Sequence, residues 1–386
     1  MQIELPEFDR TRPLVLCLYS LQFNRDIAAL QLRTSKYSWA ALQDTFLADT
    51  QGPWLPPQLQ VQTTYVNESG ADVDAAWQKA KRFGMGILAN LVQQGVNITA
   101  VLGGNFDYWQ EECLRLACDE VGLPFLVLMR EHDLTDVRFK TQEDYYRQVK
   151  RIPDVAAMAC AGEATAEVYA GLNLFPRSKL RITGWPRHDV WRDAVTPAYD
   201  RPVILMSYHK GYEATQDFEA MMERFAQLSR RYPHIPFLVK AKHGVEQATL
   251  RGISDRHGLG LNIIDSMNLP SLLCNARVVI GFHSAAMYEA LLAPAPIVIP
   301  RWGQTDQDPR LLAPSPTDPR LAGHMEFIST PNLFEETVVR YIESPPRQFD
   351  MAARAKVFGE YFAYDPDRTQ SQRLEDFIDE FGRKFP

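Results

Sequence analysis

Short apolar runs recur along the chain, each followed by a glycine- or polar-rich turn and then by a stretch of helical spacing. Pro13–Tyr19, Ile98–Leu102, Pro124–Met129, Ala156–Ala161 and Leu180–Thr183 read as strands in the first half. Val203–Met206, Phe237–Val239, Leu261–Ile264, Arg277–Gly281 and Pro296–Pro300 read as strands in the second. Between them lie helices. Asp72–Gln94 carries Ala75, Ala76, Ala80, Phe83, Ile87, Leu88 and Leu91 on one face and stops at Gly95 and Asn97. Trp109–Val121 ends at Gly122, and Glu163–Leu172 and Phe218–Arg231 are further predicted helices. Phe334–Glu343, Met351–Tyr361 and Ser371–Phe381 are predicted to close the chain. Leu269–Asn275 spans one or two helical turns, and Tyr145–Lys150 is a further helical piece. The pattern is less regular early on. Leu21–Ala48 has mixed helical spacing, Pro53–Pro57 is a break, and Leu59–Tyr65 alternates as a strand would. From Trp302 to Pro319 the sequence is rich in Pro and Asp and predicts a long loop.

Strands that are apolar throughout, alternating with helices, indicate parallel sheets covered on both faces. The expected class is α/β with two doubly wound units. Thr196–Pro202 is polar, contains Pro197 and Pro202, and interrupts the alternation. The predicted organisation is therefore a first domain over 1–195, a linker over 196–202, a second domain over 203–345 and closing helices over 346–386. No tandem repeat is visible.

In sheets of this kind ligands sit beyond the carboxyl ends of the strands. The segment Gly281–Ser284 lies at such an end and also starts a helix through Ala285 and Ala286. A helix start presents unpaired N–H groups and a partial positive charge, which suits phosphate, and Ser284 adds a hydroxyl. Glu289 lies five residues on, within reach of the hydroxyls of an attached ribose. The plainer alternative makes Ser284 a helix cap and Glu289 an exposed helix residue. Two other strand ends in this half are also loaded with polar residues. One carries Ser207, His209 and Lys210, the other Lys240, Lys242 and His243, and His283 adjoins Ser284. If the strands are neighbours, these groups converge as a nucleotide phosphate requires. Taken singly, the lysines could as well be solvated and His243 could serve packing.

In the first half, Gly103, Gly104, Asn105 and Asp107 follow one strand, and Glu131 and His132 follow the next. Glu131 is the leading candidate for a general base and Asp107 the second. A salt bridge or cap is the competing role for Glu131. Arg187 and Asp189 follow a third strand, where Pro186–Asp189 could be a turn with an internal Arg–Asp pair; Arg301 follows the strand Pro296–Pro300. No HExxH, GxSxG or P-loop pattern is present, and Gly103-Gly104 is not a dinucleotide fingerprint.

Composition narrows the class. The chain has 386 residues, 46% hydrophobic and 23% charged, which is ordinary for a globular protein. A net charge of −7 argues against a dedicated nucleic-acid binder while leaving room for a local basic pocket. No apolar run reaches the length of a membrane span, and the opening MQIELPEFDR lacks the form of a secretory signal. Five scattered cysteines, without CxxC spacing, suggest neither zinc nor a disulfide framework, and a cytoplasmic setting is expected.

Four segments carry a family resemblance. Leu180–Asp189 (LRITGWPRHD) resembles the TG.PR.D segment of bacterial surface-polysaccharide enzymes with the GT-B fold, among them CDP-glycerol glycerophosphotransferases and capsule-type transferases. Phe237–His243 (FLVKAKH) is similar to their l.vK.HP strand, with Gly244 in place of the proline. Gly281–Leu291 (GFHSAAMYEAL) resembles their t.nSs...EAl helix start, and Tyr364–Ile378 their DG.as.Ri...I tail. The same segments resemble non-hydrolysing UDP-GlcNAc 2-epimerases, although His209-Lys210-Gly211-Tyr212-Glu213 departs from the His-Arg-x-Glu-Asn of that family. The likeness spans roughly residues 98–380. It implies two Rossmann-like domains facing a cleft, a closing helix packed back across it, and no bound metal. It further implies a nucleotide-activated donor (CMP-, CDP- or UDP-linked) in the second domain and a glycan or glycolipid acceptor in the first. His243 and Ser284 would contact donor phosphate, and Glu289 would lie near the ribose. The expected activity is glycosyl transfer in capsule or lipopolysaccharide assembly, at the inner face of the membrane. A UDP-sugar epimerase and a binding protein without turnover are the alternatives.

Overall fold

The computed structural model describes the chain except residues 1, 2, 4, 20–22, 62–66, 131–145, 147–151, 207–215, 242–243, 266–267, 283, 303–312, 345, 347 and 383–386. The described residues form two compact units. One takes the chain up to Asp189 and again from Glu360, and the other runs from Val190 to Gly359. The chain thus changes unit just ahead of the polar stretch Thr196–Pro202.

The first unit holds a six-stranded, wholly parallel sheet. Its strands are β1 (Leu14–Tyr19), β2 (Ser38–Gln43), β3 (Ile98–Gly103), β4 (Phe125–Leu128), β5 (Ala157–Cys160) and β6 (Leu180–Ile182). Their order is β2-β1-β3-β4-β5-β6. Helices α1 (Asn24–Arg33), α2 (Asp44–Gln51), α3 (Ala71–Gln93), α4 (Glu112–Val121) and α5 (Glu163–Gly171) connect the strands. Every residue of β3, β4 and β5 is buried, so both faces of the sheet are covered. At the crossing of α3 with α4, Gly84 lies so close to the Cys113 carbonyl that a Cβ would collide with it.

The second unit repeats the plan with a different strand order. Its strands are β7 (Val203–Met206), β8 (Phe237–Lys240), β9 (Asn262–Ile264), β10 (Val278–Ile280), β11 (Ile297–Pro300) and β12 (Glu326–Ile328). They lie in the order β12-β11-β10-β7-β8-β9, all parallel. Helices α6 (Gln216–Arg231), α7 (Gly244–Arg256), α8 (Leu269–Leu273), α9 (Ala285–Glu289) and α10 (Pro331–Glu343) accompany them. Each unit has its own apolar core, the first around β1, β3 and α3, the second around β7, β8 and α6.

Helix α11 (Met351–Phe362) begins in the second unit and ends in the first. Near its start the buried Arg354 donates to the carbonyls of Ala293 (2.9 Å) and Ala295 (2.8 Å). Helix α12 (Gln370–Phe381) then belongs to the first unit, opened by a capping box between Thr369 and Gln372. No described helix is long and apolar enough to cross a membrane.

The structure departs from the sequence pattern at five places. Ser38–Gln43 is a strand, not part of a helical stretch, and Gly244–Arg256 and Glu326–Ile328 are elements that the apolar pattern did not show. The helix expected from Trp109 starts at Glu112. Of the strand expected over Leu59–Tyr65, Pro57–Gln60 is a 3-10 turn and most of the rest lies outside the described residues. Apart from Tyr146, the helical piece Tyr145–Lys150 also lies outside them.

Candidate functional site

In the second unit the chain goes from β7 outward to β8 and β9, then returns to the other side of β7 to lay down β10, β11 and β12. Adjacent strands whose connections depart in opposite directions leave a crevice beyond their carboxyl ends. Here the pair is β7 and β10, with Leu205 opposite Ile280. Strand β8 lies on the far side of β7, with Lys240 opposite Met206. The three polar strand ends singled out in the sequence are therefore on consecutive strands, β10, β7 and β8.

The β10 end is built tightly. A side chain at Gly281 would collide with the Met287 sulfur and come within 3.1 Å of Met206 Cβ. Glycine thus lets the turn after β10 sit directly against the end of β7. The chain then enters α9 through Ser284, whose extended backbone and hydroxyl make it the N-cap: Ala286 N–H donates to Ser284 Oγ at 3.2 Å. Ala285 is the first helical residue, and both are half-buried. Glu289, the last residue of α9, is only 7% exposed, so the exposed-residue alternative fails. Its Oε2 accepts from Trp191 Nε1 at 3.4 Å. Lys240 is half-buried, and its ammonium donates to the Ala241 carbonyl. Half-buried Arg301 follows β11, its N–H donating to the Ile328 carbonyl at 2.7 Å. His209, Lys210, Lys242, His243 and His283 lie outside the described residues.

In the first unit the corresponding reversal falls between β1 and β3. Gly103 ends β3, Gly104, Asn105 and Asp107 follow it, and all four are buried. Asn105 Oδ1 accepts the Phe106 N–H at 2.7 Å, and Phe106 packs edge-on to Tyr169 and Phe175. Two groups that the sequence reading passed over brace this turn. The buried Glu111 accepts the Gly104 N–H at 3.4 Å, and its other oxygen lies 2.5 Å from where a Cβ of Gly103 would be. Arg130 N–H donates to the Gly104 carbonyl at 3.1 Å, while its guanidinium meets the ring and hydroxyl of Tyr108. Glu131 and His132 lie outside the described residues.

Arg187 and Asp189 are held by distant partners. Arg187 forms an ion pair with the fully buried Asp26 at 2.5 Å and stacks over Trp185 at 4.7 Å. Asp189 is 0% exposed, and its two oxygens accept the N–H groups of Gln370 (2.9 Å) and Ser371 (2.8 Å), the first residues of α12. Gly184 adopts φ +70° against the same helix start; a side chain there would come within 2.6 Å of the Phe362 carbonyl. The cysteines are free, and burial pushes the Cys160 thiol up to about 12.

Two parallel six-stranded sheets in two separately cored units, with this strand order in the second, define the GT-B fold. Solved structures with the same fold confirm it. A Listeria monocytogenes protein described as a UDP-N-acetylglucosamine 2-epimerase matches over 96% of this chain and 97% of its own, at 11% identity and TM-score 0.56. MnaA of S. aureus, solved with UDP, matches over 96% of both chains at 12% identity and TM-score 0.55. The UDP-GlcNAc 2-epimerase of Neisseria meningitidis, bound to UDP-GlcNAc, matches over 95% of this chain and all of its own at 11% identity and TM-score 0.53. No family profile and no curated protein matches the chain.

Proposed function

We propose that this chain is an enzyme acting on a nucleotide-activated sugar, with the nucleotide held by the second unit. The observation carrying the reading is the meeting of β7 and β10 at the reversal of strand order, with Ser284 capping α9 and Glu289 buried one and a half turns on. Phosphate at the start of α9 and ribose beside Glu289 is the pose the chemistry favours. Lys240 lies on the adjoining strand. His209, Lys210, Lys242, His243 and His283 belong to the loops leaving these strands in sequence and would add positive charge and donors. Such a preorganised set stabilises the departing nucleotide phosphate, and a resident metal has no part in the reading. The first unit would take the second substrate, with Asp107 or Glu131 as the carboxylate that activates a hydroxyl or steadies a sugar cation.

Two reactions fit that chemistry. The sequence segments favour glycosyl transfer to a glycan or glycolipid acceptor of the cell surface, carried out at the inner face of the membrane. Two of the solved neighbours, described as UDP-GlcNAc 2-epimerases and one of them bound to UDP-GlcNAc, favour epimerisation of a UDP-sugar. Incubation with UDP-GlcNAc alone, followed by NMR of the sugar, separates them. Epimerisation needs no acceptor, whereas transfer releases free nucleotide only when an acceptor is added. A chain that binds nucleotide but turns over none of the UDP-, CDP- or CMP-sugars with or without glycan acceptors would be a binding protein.

A further inference from the structure

We infer that Trp191 is a positioning residue that sets ribose recognition at Glu289; the inference rests on the nucleotide reading above. Glu289 is 7% exposed, too deep for its carboxylate to be oriented by bulk water. The indole of Trp191 donates Nε1–H to Oε2 at 3.4 Å. An indole offers one donor and no acceptor, and its ring has only two side-chain torsions. It therefore engages one carboxylate oxygen and restrains the rotation of the whole group.

That restraint contributes to the direction of the second oxygen, Oε1. A sugar diol presents O–H donors, and a carboxylate held in one orientation accepts them at a defined place. Ser284 and Glu289 bracket α9, which spans about 7 Å at the helical rise, the scale that separates a nucleotide's phosphate from its ribose. Trp191 comes from outside that helix. It lies in the 3-10 turn Pro186–Arg192, one residue after the chain enters the second unit at Val190. It is thus fixed independently of α9 and can act as a reference for Glu289.

A structural role for Trp191 and a positioning role differ in what they move. Loss of a merely structural contact weakens every ligand alike. Loss of the positioning contact removes the preference for ribose and spares ligands that lack the hydroxyls. The decisive ratio is that of the dissociation constants of a nucleotide and its 2′,3′-dideoxy counterpart, measured by calorimetry with whichever of UDP, CDP, CMP or GDP binds the parent chain. Trp191→Phe, which keeps a ring and removes the donor, should weaken the ribonucleotide about fivefold, the worth of one ordinary hydrogen bond. The dideoxy compound should stay within about twofold of the parent, which also shows that the variant is folded. Glu289→Gln should reduce the ribose preference by itself, and adding Trp191→Phe to it should change the ratio no further, as two residues acting through one contact require. Equal weakening of both ligands by Trp191→Phe, or an unchanged ratio, overturns the inference while leaving the nucleotide site standing. Absence of binding by all four nucleotides to the parent overturns the nucleotide reading itself, and the inference falls with it.

Discussion

Replacing Asp189 with alanine should unfasten the start of α12. Both carboxylate oxygens accept helix N–H groups, from Gln370 at 2.9 Å and Ser371 at 2.8 Å, in a site with no exposure. A hydrogen bond to a charged acceptor contributes about 1.5–3 kcal/mol net. The anion also faces the positive end of a helix, a contribution of up to about 2 kcal/mol in a buried setting. These terms overlap, so Asp189→Ala should cost about 3–5 kcal/mol, part of it from leaving two buried donors without an acceptor. Asp189→Asn keeps one carbonyl acceptor and loses the charge, and should cost about half as much. Because the chain has two units, a single unfolding midpoint would mix their stabilities. Native-state hydrogen exchange at the α12 amides reads the local effect, and the alanine variant should accelerate it by about a hundredfold or more. Exchange in α12 within about tenfold of the parent would refute the reasoning.

Gly184→Ala should destabilise the first unit by about 3 kcal/mol or more, since it combines φ +70° with a Cβ 2.6 Å from the Phe362 carbonyl; urea unfolding followed at α12 checks this. The same helix should loosen in acid. Burial raises the Asp379 carboxyl, but hydrogen bonds from Lys36 and Tyr37 outweigh it and hold it below the usual range, and the Arg181 hydrogen bond lowers Glu380. A depressed folded value means that the stabilisation is present above the ordinary carboxylate pKa and fades as pH falls through the folded one, so exchange in α12 should rise below about pH 4. Asp379→Asn should flatten that dependence, and an identical profile in the variant would contradict it. His243→Ala should weaken nucleotide binding by about tenfold or more, as loss of a charge-assisted contact to phosphate would; calorimetry against the parent measures it.

The parallel strands were legible because nearly every residue in them is apolar, as burial on both faces demands. Strand β2 was not, because SWAALQ has a polar residue at each end and its alanines suit a helix, although Trp39, Ala40 and Leu42 are buried. Helix α7 was hidden by Glu246 and Ser254, polar residues that are nonetheless buried and break the apolar spacing. Strand β12 begins with Glu326 and buries only Ile328, so no apolar run marks it. At the site, the helix start at Ser284 and the position of Glu289 could be read locally, since strand, turn and helix are contiguous. The partners of Arg187, Asp189 and Glu289 could not. Asp26, the start of α12 and Trp191 lie 161, more than 180 and 98 residues away, respectively. Only the folded chain brings them together. Glu111 had a local signal, a carboxylate seven residues beyond Gly104 at the head of a helix, but nothing in its spacing points back to the glycine turn.

The proposed nucleotide site lies at the reversal between β7 and β10. The most direct measurement is a calorimetric titration of the parent chain and of Ser284→Ala with UDP, CDP, CMP and GDP, with thermal unfolding of each variant recorded alongside. At one hundred times its dissociation constant a bound nucleotide should stabilise the folded chain by about 2.7 kcal/mol. At least one of the four should bind the parent at a single site, and Ser284→Ala should weaken it by about fivefold or more after allowance for the lost cap. Binding of equal strength to a folded Ser284→Ala variant, or no binding to the parent, would contradict the claim.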